Sequence, residues 1–139
     1  QDDIMEFEES SATVDLAART LGVEPGRIAK TLSFRGRERS MLVLTAGDAR
    51  IDNKKYKAQF GLKASMLSPE EALEQTGHPV GGICPFGLKT KLDVYLDVSL
   101  KRFDHVFPAC GSGNSAIRCT LPELVEYSGM EKWVDICKD

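Results

Sequence analysis

Eleven residues in the middle of the chain, Gly77-His78-Pro79-Val80-Gly81-Gly82-Ile83-Cys84-Pro85-Phe86-Gly87, are incompatible with a regular helix or strand, because four are glycine and two are proline. Glycine opens positive φ and close backbone approach, and proline fixes φ and removes a donor. The stretch therefore predicts a shaped loop with accessible amides and little side-chain bulk. Whatever surrounds it must be a scaffold that holds such a loop, and loops on rigid scaffolds are where binding residues concentrate.

The flanking segments supply that scaffold. Val14, Leu16, Ala17, Ala18 and Leu21 give one apolar face, with Thr13 as cap and Gly22 as stop, which predicts a helix. Ile28 to Arg35 and Met41 to Leu44 read as strands joined through Gly36-Arg37-Glu38. Asp52 is placed to cap a basic helix, Asn53 to Phe60, stopped by Gly61. Leu62 to Leu67 reads as a further strand. Ser68-Pro69-Glu70-Glu71 has capping-box spacing with proline at the first helical position, predicting a helix through Gln75.

Beyond the central loop, Leu92 to Val98 alternates apolar and polar residues, with Tyr95 on the polar phase. His105 to Ala109 and Ser115 to Thr120 are strand candidates on either side of a second glycine turn, Gly111-Ser112-Gly113-Asn114. Thr120 and Glu123 repeat the capping-box spacing ahead of a helix to about Ser128, and Trp133 and Ile136 anchor the tail. Some connections are hairpin-short and others pass through a helix. The expected fold class is therefore α+β with a mixed sheet.

At 139 residues the chain fits one domain, residues 1–139, and its start at Gln1 leaves room for residues upstream. A net charge of −3 argues against a generic nucleic-acid coat but not against a local basic patch. No run reaches the ~20 apolar residues that span a bilayer, so no membrane is expected. The four cysteines, 84, 110, 119 and 137, form no CxxC pair, and His78 and His105 lack ligand spacing. No metal is expected, and the thiols read as reduced cytoplasmic cysteines.

Lys30 lies on a predicted strand and carries three donors and a charge suited to a phosphate or a developing oxyanion. The two glycine-rich loops can present amide nests to an anion or a carbonyl oxygen. Cys84 is a nucleophile candidate only if His78 or His105 meets it in space; otherwise it lines a wall. Asp93 and Asp97, four apart on one strand, share a side or face solvent. Lys54, Lys55 and Lys57 with Lys63, and Lys89, Lys91, Lys101 and Arg102, are two basic sets. They are solvated faces unless they border the loops, where they would suit a polyanion such as RNA held through its phosphates.

An ordered set of blocks resembles the YbaK family, the free-standing relatives of the editing domain inserted in bacterial prolyl-tRNA synthetase. The blocks are Thr13-Val14 with Leu16-Ala17-Ala18-x-x-Leu21-Gly22-Val23, Ile28-Ala29-Lys30-Thr31-Leu32, and Gly77-x-x-x-Gly81-Gly82-Ile83-x-Pro85-Phe86-Gly87. Tyr95-x-Asp97, Gly111-x-Gly113 and Leu121-Pro122-Glu123-Leu124 follow, so that the match runs over about residues 13–129.

The resemblance implies a mixed, barrel-like sheet flanked by helices. It implies hydrolysis of the ester bond of a mischarged tRNA carrying a small amino acid (Cys, Ser, Thr or Ala class), with no metal or organic cofactor. It implies that Lys30 holds the tRNA acceptor end, and that Thr31, Gly81, Gly82, Ile83, Cys84 and Pro85 position the aminoacyl group. Gly111, Ser112, Gly113 and Asn114 then close the other side of the pocket. Thr31 stands where alanine-specific members carry asparagine, and the strand after Asn114 lacks their histidine. Both features favour the branches acting on Cys-, Ser- or Thr-tRNA, or on tRNA carrying other small residues. The partners implied are mischarged tRNA and an aminoacyl-tRNA synthetase. The alternative is a non-catalytic module of the same fold that docks tRNA or a synthetase.

Overall fold

The computed structural model describes residues 14, 18–19, 21–76, 92–110, 115–116 and 118–138. Among them, seven strands form one mixed half-barrel sheet: β1 (Ile28–Phe34), β2 (Met41–Ala46), β3 (Asp93–Asp97), β4 (His105–Cys110), β5 (Ser115–Ala116), β6 (Cys119–Thr120) and β7 (Lys132–Val134). The order across the sheet is β5-β4-β1-β2-β3-β7, with β6 also on β4. The β1–β2 hairpin is antiparallel, while β1 with β4, β2 with β3 and β3 with β7 are parallel.

Both faces of the sheet are buried. Alternation along each strand sends Ala29, Leu42, Leu44, Ala46, Val94 and Leu96 into one apolar cluster. Phe34, Met41 and Val43 go to the other face, where they meet Tyr56 and Ile136. This explains why all six residues of β2 are buried. It also corrects the polar reading of Tyr95, whose ring packs edge-on against Phe60 at 5.1 Å. Tyr95, on the polar phase of β3, faces the second cluster.

Helices α1 (Asn53–Phe60), α2 (Pro69–Thr76) and α3 (Leu121–Ser128) begin where the sequence places them. The Asp52 carboxylate accepts from the amides of Lys54 and Lys55, and Gly61 closes α1 at φ 74°. Both capping boxes form. Glu71 accepts from Ser68 N at 3.0 Å and Glu123 from Thr120 N at 2.9 Å, with the return bonds to Ser68 Oγ and Thr120 Oγ1 both at 3.2 Å.

Three expectations change. Leu62 to Leu67 is no strand but a single bridge, Phe34 to Met66, because the segment touches β1 only at its end. Val98 leaves β3 for a 3-10 turn, Val98–Arg102, because the buried Asp97 carboxylate accepts from Ser99 N and turns the chain. Ser115 to Thr120 breaks into β5 and β6, two short pairings to β4.

Candidate active site

Lys30 and Thr31 are adjacent in β1 and point to opposite faces. Lys30 opposes Thr45, in line with Leu32 and Phe34 toward the second cluster. Thr31 opposes Leu44, on the side of the first cluster, and its buried Oγ1 has no partner among the described residues. The structure thus does not bring Thr31 beside the Lys30 ammonium. Gly81, Gly82, Ile83, Cys84 and Pro85, and Gly111, Ser112, Gly113 and Asn114, lie outside the described residues, as do His78, Lys89 and Lys91.

The half-buried Lys30 reaches the loop after β2. Its Nζ donates to Ala49 O at 2.7 Å and to Gly47 O at 3.3 Å. An ammonium has three donors, so two carbonyls leave one N–H direction uncommitted among the described residues. Burial lowers the lysine's pKa from its ordinary value, the charge of Arg50 adds to that, and the Asp48 carboxylate opposes it. The group is a fixed cation with one donor to offer.

The loop that holds it is itself held. At Gly47 an added Cβ would stand 2.3 Å from Pro25 O and 2.8 Å from Val14 Cγ1, so the residue must be glycine for the backbone to pass. Asp48 is ion-paired with Arg102, which stacks at 4.9 Å on the Phe103 ring. Asp52 N donates to Ile136 O and Lys138 N to Arg50 O, both at 2.8 Å, pairing the loop with the C-terminal tail. Gly47→Ala is therefore expected to cost about 2–3 kcal/mol by overpacking against backbone. Urea denaturation measures it, and a change under about 0.5 kcal/mol would mean that the loop relaxes freely.

Beneath Lys30 the tail supplies Cys137. Its sulfur is hydrogen-bonded to the side chains of Asp97 and Ser99, and burial first, then the Asp97 charge, pushes its pKa up to about 12. At neutral pH it is a thiol, so Cys137 is not a nucleophile. Asp97 is fully buried and accepts from Ile136 N and Ser99 N, both at 2.8 Å. It faces neither solvent nor Asp93, whose carboxylate lies 4.0 Å from Arg39. The tail pairing and Asp97's burial were missed in the sequence. The one signal was an aspartate on the same phase as an aromatic residue, Tyr95.

His105, the other candidate base, opposes Thr120 across β4 and β6, and its carbonyl accepts from Arg27 at 3.3 Å. Among the described residues no three or more His, Cys, Asp or Glu side chains gather to hold a metal, and no helix is long and apolar enough to cross a membrane. Lys101 caps the Trp133 ring at 4.6 Å. A groove of about 420 Å³ opens at the far end of the β1–β2 hairpin, lined by Arg35, Arg39, Ser40, Leu67, Glu71 and Leu92, and does not include Lys30.

Comparison with known proteins bears on the fold and the family. The family model described as the aminoacyl-tRNA editing domain matches residues 8–127. The YwhH protein of Bacillus subtilis (strain 168) is 61% identical over 100% of this chain and 89% of its own length. The EbsC protein of Enterococcus faecalis, provisionally named a Cys-tRNA(Pro)/Cys-tRNA(Cys) deacylase, is 29% identical over 86% of this chain and 73% of its own. A solved structure assigned provisionally as a trans-editing enzyme for prolyl tRNA synthetase superposes with a TM-score of 0.83, at 33% identity over 91% of this chain and 80% of that one. Sheet order and these matches lead to one assignment: the chain belongs to the aminoacyl-tRNA editing domain family.

Proposed function

We infer that the protein is a trans-acting aminoacyl-tRNA deacylase. It hydrolyses the ester of a mischarged tRNA carrying a small amino acid of the Cys, Ser, Thr or Ala class, in the cytoplasm and alongside an aminoacyl-tRNA synthetase. The observation that carries this reading is Lys30, a cation anchored by two backbone carbonyls with one N–H left to give among the described residues, on a strand of an editing-domain fold.

The chemistry asks for little more. Water adds to the ester carbonyl carbon, the bond from that carbon to the ribose oxygen breaks, and the ribose hydroxyl takes up a proton. Free amino acid and uncharged tRNA result. A fixed cation beside a phosphate or the developing oxyanion lowers the barrier without reorganising during the reaction. In this reading Lys30 holds the acceptor end. Gly81, Gly82, Ile83, Cys84 and Pro85 seat the aminoacyl group, and Gly111 to Asn114 close the pocket. The provisional Cys-tRNA deacylase name of the Enterococcus relative favours Cys-tRNA first among the candidates.

A panel of Ala-, Ser-, Thr-, Cys- and Pro-tRNA tests the reading. The expected result is rapid hydrolysis of one or two esters. Binding of tRNA with no hydrolysis of any would replace the enzyme by a docking module of the same fold.

A further inference from the structure

The isolated bridge between Ile51 and Cys137 is antiparallel, so Arg50 lies directly across from Lys138. Their backbones are joined by Lys138 N donating to Arg50 O at 2.8 Å. Both residues are exposed, and neither is ion-paired among the described residues. Like charges facing each other across a pairing are destabilising, and other pairs would suit an ordinary surface better. Exposed Lys54 follows on the first turn of α1. Among the described residues, the nearby acids are already engaged. Asp48 is paired with Arg102, Asp135 with Lys55 at 3.2 Å, and Asp52 accepts two helix amides while also feeling the Lys55 and Lys138 charges. The patch adjoins the candidate site, because Arg50 follows Ala49, whose carbonyl accepts from Lys30 Nζ at 2.7 Å. A chain of net charge −3 therefore gathers, among its described residues, three exposed cations without an ion pair beside the lysine that reaches its loop carbonyls.

We propose that Arg50, Lys138 and Lys54 form a phosphate track that takes the sugar–phosphate backbone of the tRNA acceptor stem and leads its end to Lys30. This rests on the deacylase reading for its ligand and adds the surface that binds the rest of the molecule. Such a track reads no bases. It contributes affinity and register, and each phosphate contact carries its own salt dependence.

The test uses the triple variant Arg50→Gln, Lys54→Gln, Lys138→Gln, with Lys132→Gln as a loss of charge outside the patch. Binding of uncharged tRNA is followed by fluorescence anisotropy from low to high salt. The triple variant is expected to bind about 10- to 100-fold more weakly at low salt, with the log–log salt slope flatter by about 2 to 3. Lys132→Gln should match wild type. On aminoacyl-tRNA the triple variant should raise KM and leave kcat; on an aminoacylated CCA trinucleotide, which has no stem, it should match wild type. Its melting temperature should not fall, because the Arg50–Lys138 repulsion is gone.

Wild-type affinity and slope in the triple variant would overturn the track, as would an equal loss on the trinucleotide. If wild type hydrolyses aminoacyl-tRNA while the triple variant keeps its KM and slope, the track fails and the deacylase stands. If wild type binds tRNA through these residues yet hydrolyses no ester, the deacylase fails and the track stands.

Discussion

Lys30→Ala is expected to lower kcat/KM for the best aminoacyl-tRNA substrate by about 10²- to 10³-fold, the scale for loss of one fixed donor at a developing charge. Lys30→Arg should recover little of it. The ammonium meets Ala49 O and Gly47 O at 2.7 and 3.3 Å as a point donor, and a planar guanidinium cannot present two bonds to that loop and keep the third in the same direction. The pH profile gives a second readout. Burial lowers the Lys30 pKa, and activity needs the charged form, so the alkaline limb of kcat/KM should fall at a pH below the ordinary lysine value of 10.5, after subtraction of hydroxide-driven hydrolysis. For folding the sign runs the other way. Between the lowered folded pKa and 10.5 the unfolded chain holds more protons, so the deprotonated Lys30 gains stability as pH rises through that window. Lys30→Ala with full activity on every substrate of the panel would remove Lys30 from the chemistry.

The local devices of this chain were legible in its sequence because they are short-range. Ser68 with Glu71, Thr120 with Glu123, Asp52 and Gly61 each act within a few residues, and each does what its spacing predicts. Lys30 was legible as a candidate because lysine within an apolar strand is unusual. What holds it was not, since Gly47 and Ala49 lie 17 and 19 residues away and the tail that packs beneath it lies more than a hundred away. The same distance explains Tyr95 and Asp97. Their burial is created by Phe60 from α1 and by Ile136 from the tail, neither of which local alternation reports. The adjacency of Lys30 and Thr31 in sequence misleads in the opposite way, because a strand separates neighbours onto different faces. The two glycine loops are outside the described residues, and their part in the site rests on the family pattern.

Asp97→Ala is the substitution expected to cost the most stability, about 3–5 kcal/mol, or a fall in melting temperature of roughly 10–15 °C. Two opposing effects decide it. Burying a carboxylate is expensive, which argues that removing it should help. Yet this carboxylate accepts from two backbone amides, Ser99 N and Ile136 N, and faces the Cys137 thiol, so deletion strands two buried donors and opens a cavity. Hydrogen bonds to a charged acceptor are worth about 1.5–3 kcal/mol each, and an unsatisfied buried donor costs about 1–3 kcal/mol more. The backbone donors therefore outweigh the desolvation. Asp97→Asn should lose roughly half as much, about 2 kcal/mol, since its amide oxygen keeps one bond while its NH₂ turns a donor toward a donor. The effect should reach the site as well. With Ile136 released, the tail that sets Cys137 beneath Lys30 and pairs with Arg50 loses the side-chain bond that holds it past β7, so kcat/KM should fall for Asp97→Asn at temperatures where it is fully folded. Urea denaturation and kinetics on the same sample read both. A stability loss under about 1 kcal/mol in Asp97→Ala would mean that the cost of burying the charge cancels the bonds it makes, and the tail would then have to be held by its apolar contacts alone.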